Sequence, residues 1–348
     1  MYAVTQSEND EPVMHMIAGK TYIMDACNAG VQLLRNRPAN AYQVDPKDIA
    51  QGNDGILIIR AGGMGDILQC AALIRALHKL HPDNPIDFCC AAMFAEAIRF
   101  HPRIRSVKPY PFDIEEARKY SQIITLENAV EFNRTDHMAD AFLIAGGIDP
   151  ATVKDKSPAY YPPKVKVETT PRGKKPRVGI QDRSSAPCRT SSKIGDYCAA
   201  FLKAGWEVYL FGGPGKSECD IEGVVNMTGN LELHETAAWM QTCDAMLTQD
   251  SGLLHLAAAL RIPTVALFSV IDADLRVRYS PYVIGINAKS GCAPCFWHGR
   301  GGPFPPQCPT AHKGVCGPLD GIPFPLIMNC VEKVTTAKKQ ANKRKGKR

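Results

Sequence analysis

The 348-residue chain lacks several things that would have assigned it quickly. No apolar run reaches the about 18 residues that mark a membrane span. The opening stretch, MYAVTQSENDEPVMHMIAGK, has no basic segment followed by an apolar one, so it does not read as a secretory signal, and a cytoplasmic location is expected. There is no G-x-G-x-x-G turn and no P-loop Lys-Ser/Thr pair, which argues against a dinucleotide fingerprint or a Walker site. No G-x-S-x-G elbow is present, which argues against a Ser-His-Asp hydrolase of that type. Wholesale disorder is excluded by a hydrophobic content of 45% and a charged content of 22%.

Net charge is also scarce once it is located. The formal +6 comes from seven basic residues, Lys338, Lys339, Lys343, Arg344, Lys345, Lys347 and Arg348, with no acid among them. The rest of the chain carries 34 basic residues against 35 acidic ones. A near-neutral globule with a basic tail at 335–348 follows. Such a tail contacts nucleic acid or an acidic surface, or simply aids solubility.

Thirteen cysteines are present, but most are scattered. Cys27, Cys70, Cys89, Cys90, Cys188, Cys198, Cys219 and Cys243 fall in apolar or helical-looking stretches, as small buried hydrophobes do. With no secretion signal, reduced thiols are expected. Only Cys292, Cys295, Cys308 and Cys316 group together, in a Gly/Pro-rich loop at 291–318 that also holds His298 and His312. The C-x₂-C pair suits half of a structural zinc or iron site, whereas the C-x₇-C spacing is irregular, so reduced, loop-packing cysteines are the competing reading.

Length alone suggests two domains, and the patterning agrees. Residues 1–53 form an N-terminal extension with no readable role. Within it, Met16 to Arg35 reads as a strand or short helix, broken at Arg37-Pro38-Ala39-Asn40. The apolar run Gly55 to Arg60 then enters Ala61-Gly62-Gly63-Met64-Gly65-Asp66, and a helical pattern follows from Ile67 to His81. This is a buried strand, a glycine turn and a helix. Strands near Ile86–Cys90, Val107 and Ile123–Leu126, with a helix over Phe94–Phe100, continue an α/β layered domain over 54–160. From Ser157 to Pro176 five prolines interrupt the pattern, which places a linker at 161–176. Alternation restarts over 177–334. Strands are predicted at Arg177–Ile180, Trp206–Phe211, Ala245–Thr248 and Thr264–Phe268, and helices at Ile194–Ala204, Leu233–Thr242 and Leu253–Leu260. Two Rossmann-like halves facing across a cleft are expected, with ligands outside the carboxyl ends of their strands.

Three polar stretches lie at such strand ends. In the first, Gly62, Gly63 and Gly65 let a ligand approach the backbone. Asp66 is then either a helix cap or a general base for an acceptor hydroxyl. In the second, Asp250-Ser251-Gly252 opens a helix with His255 on its first turn. This is either an anion-binding turn or a capping pair. The third, Gln181 to Arg189, carries Arg183 and Arg189 and suits a diphosphate, or is an exposed basic loop.

In this order, these features resemble glycosyltransferase family nine, the heptosyltransferase group. Ile56 to Leu68 looks like that family's opening strand and its Gly-Asp turn. Gln249 to Ala259 is similar to its D-[ST]-G-x-x-H-x-x-A-A signature, and Pro263 to Phe268 follows as it does there. The resemblance covers about residues 55–334. It implies a GT-B fold and metal-independent inverting transfer of a sugar from a nucleotide-diphosphate donor to an acceptor hydroxyl, most simply on a glycolipid or saccharide. It also implies that Asp66 is the general base and that Asp250, Ser251, Gly252 and His255 form the donor-diphosphate loop. Arg189 falls near the family's basic phosphate residue, although the usual Trp-Pro after it is missing. Glu218 matches the acid on the donor ribose only through a gap. Residues 1–53 and the basic tail lie outside the resemblance, which keeps a hydroxylated DNA base or a protein open as acceptor. Readings of other kinds are a non-catalytic nucleotide-sugar-binding module, which would tolerate loss of Asp66, and a GT-B sugar epimerase, which would need no acceptor.

Overall fold

The computed structural model describes residues 1–5, 20–24, 40–131, 133–170, 173–213, 215, 217, 219–229, 231–296, 308 and 315–345. The chain divides into two compact units. One comprises 1–133 with 139–156, and the other 134–138 with 157–348.

The first unit contains two sheets. Strands β1 (Tyr2–Thr5), β2 (Thr21–Met24) and β3 (Asn40–Gln43) come from the N-terminal extension. Strand β4 (Ile56–Ile59) leads into helices α1 (Met64–Gln69) and α2 (Ala71–Leu80). Strands β5 (Ile86–Cys90), β6 (Ser106–Pro109), β7 (Phe112–Asp113) and β8 (Gln122–Thr125) follow, then helix α3 (Met138–Ala145). The parallel sheet has order β6-β5-β4-β8, with every neighbouring pair parallel. Strands β4 and β5 are buried throughout, which explains why they read as near-continuous apolar runs rather than as alternation.

The extension, without assignment from sequence, builds the second sheet. Its order is β3-β1-β2-β7, all antiparallel, so three N-terminal strands recruit a fourth from beyond β6. Val4, Tyr22, Ile23 and Met24 share a core with Leu57, Ile59, Cys89 and Ile123 of the parallel sheet. The extension thus covers one apolar face of the first unit.

The second unit is one six-stranded parallel sheet. Its elements are β9 (Arg177–Gln181), α4 (Ile194–Lys203), β10 (Glu207–Phe211), β11 (Val224–Asn226), α5 (Leu233–Gln241), β12 (Ala245–Gln249), α6 (Gly252–Ala259), β13 (Thr264–Phe268) and β14 (Val283–Asn287). Its order, β11-β10-β9-β12-β13-β14, is the 3-2-1-4-5-6 arrangement of the doubly wound fold. Helix α7 (Phe324–Lys345) closes the chain. Its Ile327, Cys330, Val331 and Val334 enter the same core as Val178, Leu210 and Val265. Helix α7 runs unbroken to Lys345, so the break expected at 334/335 is absent. The first basic residues of the tail are the solvent-exposed end of a core helix, and residues 346–348 lie outside the described residues.

Candidate functional site

In each of the two parallel sheets the strand order reverses beside the first strand. The crevice at the carboxyl ends of those strands is where an open α/β fold takes ligands. In the first unit that point lies between β4 and β8, and in the second between β9 and β12.

At the first point the chain leaves β4 through Arg60 and turns at Gly62 and Gly63. Gly63 has φ +81°, a left-handed conformation that L side chains rarely adopt, and a Cβ there would run into the Asp66 carboxylate. Gly63, not Asp66, is the N-cap of α1, and Asp66 lies within the helix's first turn. The capping reading of Asp66 is therefore set aside. Its Oδ2 instead accepts a hydrogen bond from Arg60 Nη2 at 2.5 Å. The same nitrogen donates to Glu131 Oε1 at 2.7 Å. Arg60 Nη1 lies 3.8 Å from Glu127 Oε2, and Glu127 Oε1 accepts from the Ala61 amide at 2.5 Å. Burial opposes the Arg60 charge, but Asp66, Glu127 and Glu131 outweigh it and hold its pKa well above the ordinary value. Asp66 keeps 22% of its side-chain surface exposed, against 5% for Arg60, so the carboxylate is the open member of the pair. Sequence reasoning missed Arg60, Glu127 and Glu131. Only the polar residue ending an otherwise apolar strand hinted at Arg60.

At the second point a side-chain network ties three strand ends together. Gln181 Oε1 accepts from the Gln249 amide at 3.0 Å and from Ser251 Oγ at 2.8 Å. Gln249 Oε1 accepts from the Ser191 amide at 2.7 Å. Asp182 Oδ1 accepts from Ser217 Oγ at 2.7 Å, which adds the loop after β10. Ser251 is the N-cap of α6, yet its hydroxyl serves Gln181 and makes no capping bond, and Asp250 pairs with Arg189 at 3.5 Å. The capping-pair reading of Asp250-Ser251 is thereby replaced. Without a side-chain cap, the leading N–H groups of α6, beginning at Gly252, suit an anion. His255 is buried on this helix, at 3% exposure. Arg189 is about three-quarters buried, and its Nε has no partner among the described residues. Arg183 lies more exposed, against Asp182 at 3.5 Å. A cavity of about 390 Å³ opens beside this network, lined by Asp182, Ser191, Ser192, Gly195, Ser217 and Asp220 among others. Glu218 lies outside the described residues.

The cysteine loop adjoins the same network. The Cys316 amide donates to Thr190 O at 3.0 Å, the Cys295 amide to Ser269 O at 3.4 Å, and Ser269 Oγ to Cys188 O at 3.3 Å. Cys308 packs against Ala186, Cys188 and Val270. Asp320 binds Ser191 Oγ at 2.7 Å and Ser192 Oγ at 2.6 Å, which anchors the loop's far end to the segment after β9. Cys292 and Cys295 are exposed while Cys316 is buried, and burial pushes the Cys316 thiol up. Among the described residues no three His, Cys, Asp or Glu side chains are grouped to hold a metal ion. His298 and His312 lie outside the described residues. No helix among the described residues is long and apolar enough to cross a membrane.

Comparison with known proteins finds a partial family match and a likeness of fold. A family described as glycosyltransferase family 9 (heptosyltransferase) matches residues 196–300, which includes Asp250, Ser251, Gly252 and His255. Lipopolysaccharide heptosyltransferase 2 of Salmonella typhimurium is 32% identical over 84 residues, covering 21% of this chain and 24% of that protein. The match thus spans about a quarter of the curated relative's length. Among solved structures, ADP-heptose LPS heptosyltransferase II of E. coli has a TM-score of 0.60 at 16% identity, covering 82% of this chain and 99% of that one. The iron-containing dodecameric glycosyltransferase TibC of enterotoxigenic E. coli has a TM-score of 0.62 at 15% identity, covering 86% and 80%. At these identities the structural likeness is one of fold.

Proposed function

We propose that the chain is a heptosyltransferase-like member of glycosyltransferase family 9 and that it moves a heptose from ADP-heptose to a saccharide hydroxyl with inversion. The observation that carries this reading is the strand-order reversal in the second unit. There the family-matched turn Asp250–His255 meets Arg189 and an uncapped helix N-terminus, the combination that suits a diphosphate. One structural neighbour is an ADP-heptose LPS heptosyltransferase and the curated relative is a lipopolysaccharide heptosyltransferase, which supports an ADP-heptose donor and a saccharide acceptor.

The chemistry follows from the side chains. Asp66 takes the proton of the acceptor hydroxyl. The oxygen forms its bond to the anomeric carbon as the bond from that carbon to the diphosphate oxygen breaks, and the electron pair leaves on ADP. Arg189, His255 and the first N–H groups of α6 stabilise the developing negative charge. No cofactor takes part.

The exposed, basic end of α7 supports an acceptor that sits on an anionic surface. Beyond Val334 no described residue of this helix is buried, and its charge is of one sign.

The test is Asp66→Asn. ADP release from ADP-heptose, with heptose-deficient lipopolysaccharide as acceptor, should fall by about 10²–10⁴-fold, while calorimetric ADP affinity stays unchanged. Full ADP release by Asp66→Asn would remove Asp66 as the base, and conversion of ADP-heptose without acceptor and without ADP release would favour an epimerase.

A further inference from the structure

We propose that Arg60 is the positioning residue of the transfer site. It fixes the Asp66 carboxylate in the orientation that receives the acceptor proton, and Glu131 in turn fixes Arg60. The inference rests on the proposed transfer reaction and adds to its machinery.

Arg60 is 4% exposed, and each of its three guanidinium nitrogens is committed. Nε donates to Gly62 O at 3.2 Å and Nη1 to Leu126 O at 3.0 Å. These carbonyls belong to the segments leaving β4 and β8, so both sides of the strand-order reversal set the plane of the fork. The Phe142 ring lies 5.8 Å from Cζ. With the plane set, the two N–H bonds of Nη2 have fixed directions, and one goes to Asp66 Oδ2 and the other to Glu131 Oε1. A lysine ammonium is a point charge and cannot hold two carbonyls and two carboxylates in one plane.

The surroundings agree with positioning rather than with simple charge balance. Three carboxylates face one guanidinium, more acid than neutralisation needs. Glu127 spends one oxygen on the Ala61 amide, so it holds the turn rather than the proton site. Glu131 takes the second N–H of the nitrogen that serves Asp66, and of the three carboxylates only Asp66 sits on a helix start beside the glycine turn. Proton transfer demands hydrogen-bond reach, and a misplacement of about 1 Å costs about 10²-fold in rate.

The experiment measures ADP release from ADP-heptose, with heptose-deficient lipopolysaccharide or water as acceptor, for the wild type, Arg60→Ala, Arg60→Lys, Glu131→Gln and Asp66→Asn. Arg60→Ala is expected to lower kcat by about 50-fold or more, with donor KM and ADP affinity unchanged. Millimolar guanidinium should restore part of that turnover. Arg60→Lys should recover little, and Glu131→Gln should lose about tenfold in kcat alone. A folded Arg60→Ala with wild-type kcat overturns the proposal, as does a loss that guanidinium leaves untouched and that comes with lost donor binding. If Arg60→Ala does not fold, wild-type kcat in both Arg60→Lys and Glu131→Gln overturns it. No ADP release by the wild type defeats the proposed reaction, and wild-type turnover in Asp66→Asn removes Asp66 as the base that Arg60 would position. Silence in Asp66→Asn beside an active Arg60→Ala defeats the positioning role alone.

Discussion

The Ser251 hydroxyl donates to the Gln181 side-chain oxygen at 2.8 Å, which joins the end of β9 to the start of α6 across the point where the strand order reverses. A serine at a helix start ordinarily satisfies its own helix. Here Gln181 takes the hydroxyl, and the leading amides of α6 keep their donors for another acceptor.

Gln181→Leu removes that acceptor and frees Ser251 to cap its own helix. ADP affinity is expected to weaken by about tenfold, the order of one lost charge-assisted hydrogen bond. Isothermal calorimetry with ADP checks this, and unchanged affinity would show that the α6 amides are not used.

Arg189→Ala removes the cation beside Asp250. Donor affinity should fall by about 10- to 100-fold, since charge-assisted bonds to phosphate are worth about 1.5–3 kcal/mol. Thermal stability should fall as well, because Asp250 is buried and loses its cation, so the comparison is made on the ligand-induced shift. A ligand-induced thermal shift equal to that of the wild type would remove Arg189 from the donor site.

Gly63→Ala places a Cβ against the Asp66 carboxylate at a backbone angle that favours glycine. Destabilisation of about 1–3 kcal/mol is expected, with a loss of kcat larger than the stability change explains. Denaturant unfolding and steady-state kinetics on one preparation separate the two effects.

His101 supplies a pH dependence. Burial, with Arg103 and Arg75 adding to it, pushes the imidazole down to about 4, and its Nδ1 accepts from the Arg103 amide at 3.2 Å. The unfolded chain binds this proton at about 6.5 and the folded chain only near 4. The stability held above pH 6.5 is therefore lost progressively down to pH 4, about 3 kcal/mol in all. Urea midpoints between pH 7.5 and 4.5 measure the slope, which should flatten in His101→Gln.

Asp87 is fully buried in β5 and accepts from Arg105 at 2.7 and 3.0 Å, from the Ser106 amide at 3.0 Å and from Tyr120 at 2.6 Å. Asp87→Ala leaves those donors facing an apolar strand and should cost about 3 kcal/mol. Because Asp87 lies near the amino end of β5, away from the strand-order reversal, kcat at a permissive temperature should hold.

The parallel strands and their glycine turns were legible because each is a short apolar run followed at once by the turn that names the site. Thr264–Phe268 forms as expected, and the other expected strands of the second half differ by a residue or so at their ends. Two kinds of element escaped. Strands β11 and β14 are edges, only partly buried, and lack a continuous apolar signature. Strands β1 to β3 are four residues each and acquire meaning only through a partner at Phe112–Asp113. The same distance hid half of the first site. Asp66 announces itself in a turn, but the residues that hold Arg60 lie 66 and 71 positions downstream, where Leu126 and Glu131 look like ordinary loop.

The pairing of β2 with β7 also fixes an order of events during synthesis. The first two strands leave the ribosome well before Phe112, and the apolar surface they are to cover, on Leu57, Ile59, Cys89 and Ile123, emerges piecemeal after them. Chains grow at about 5–20 residues per second, so these strands wait several seconds for their sheet to close. The first unit must then mature as a single cooperative piece. A chain begun at Asp54 would emerge with a bare apolar face and should accumulate in aggregates rather than as a smaller folded protein.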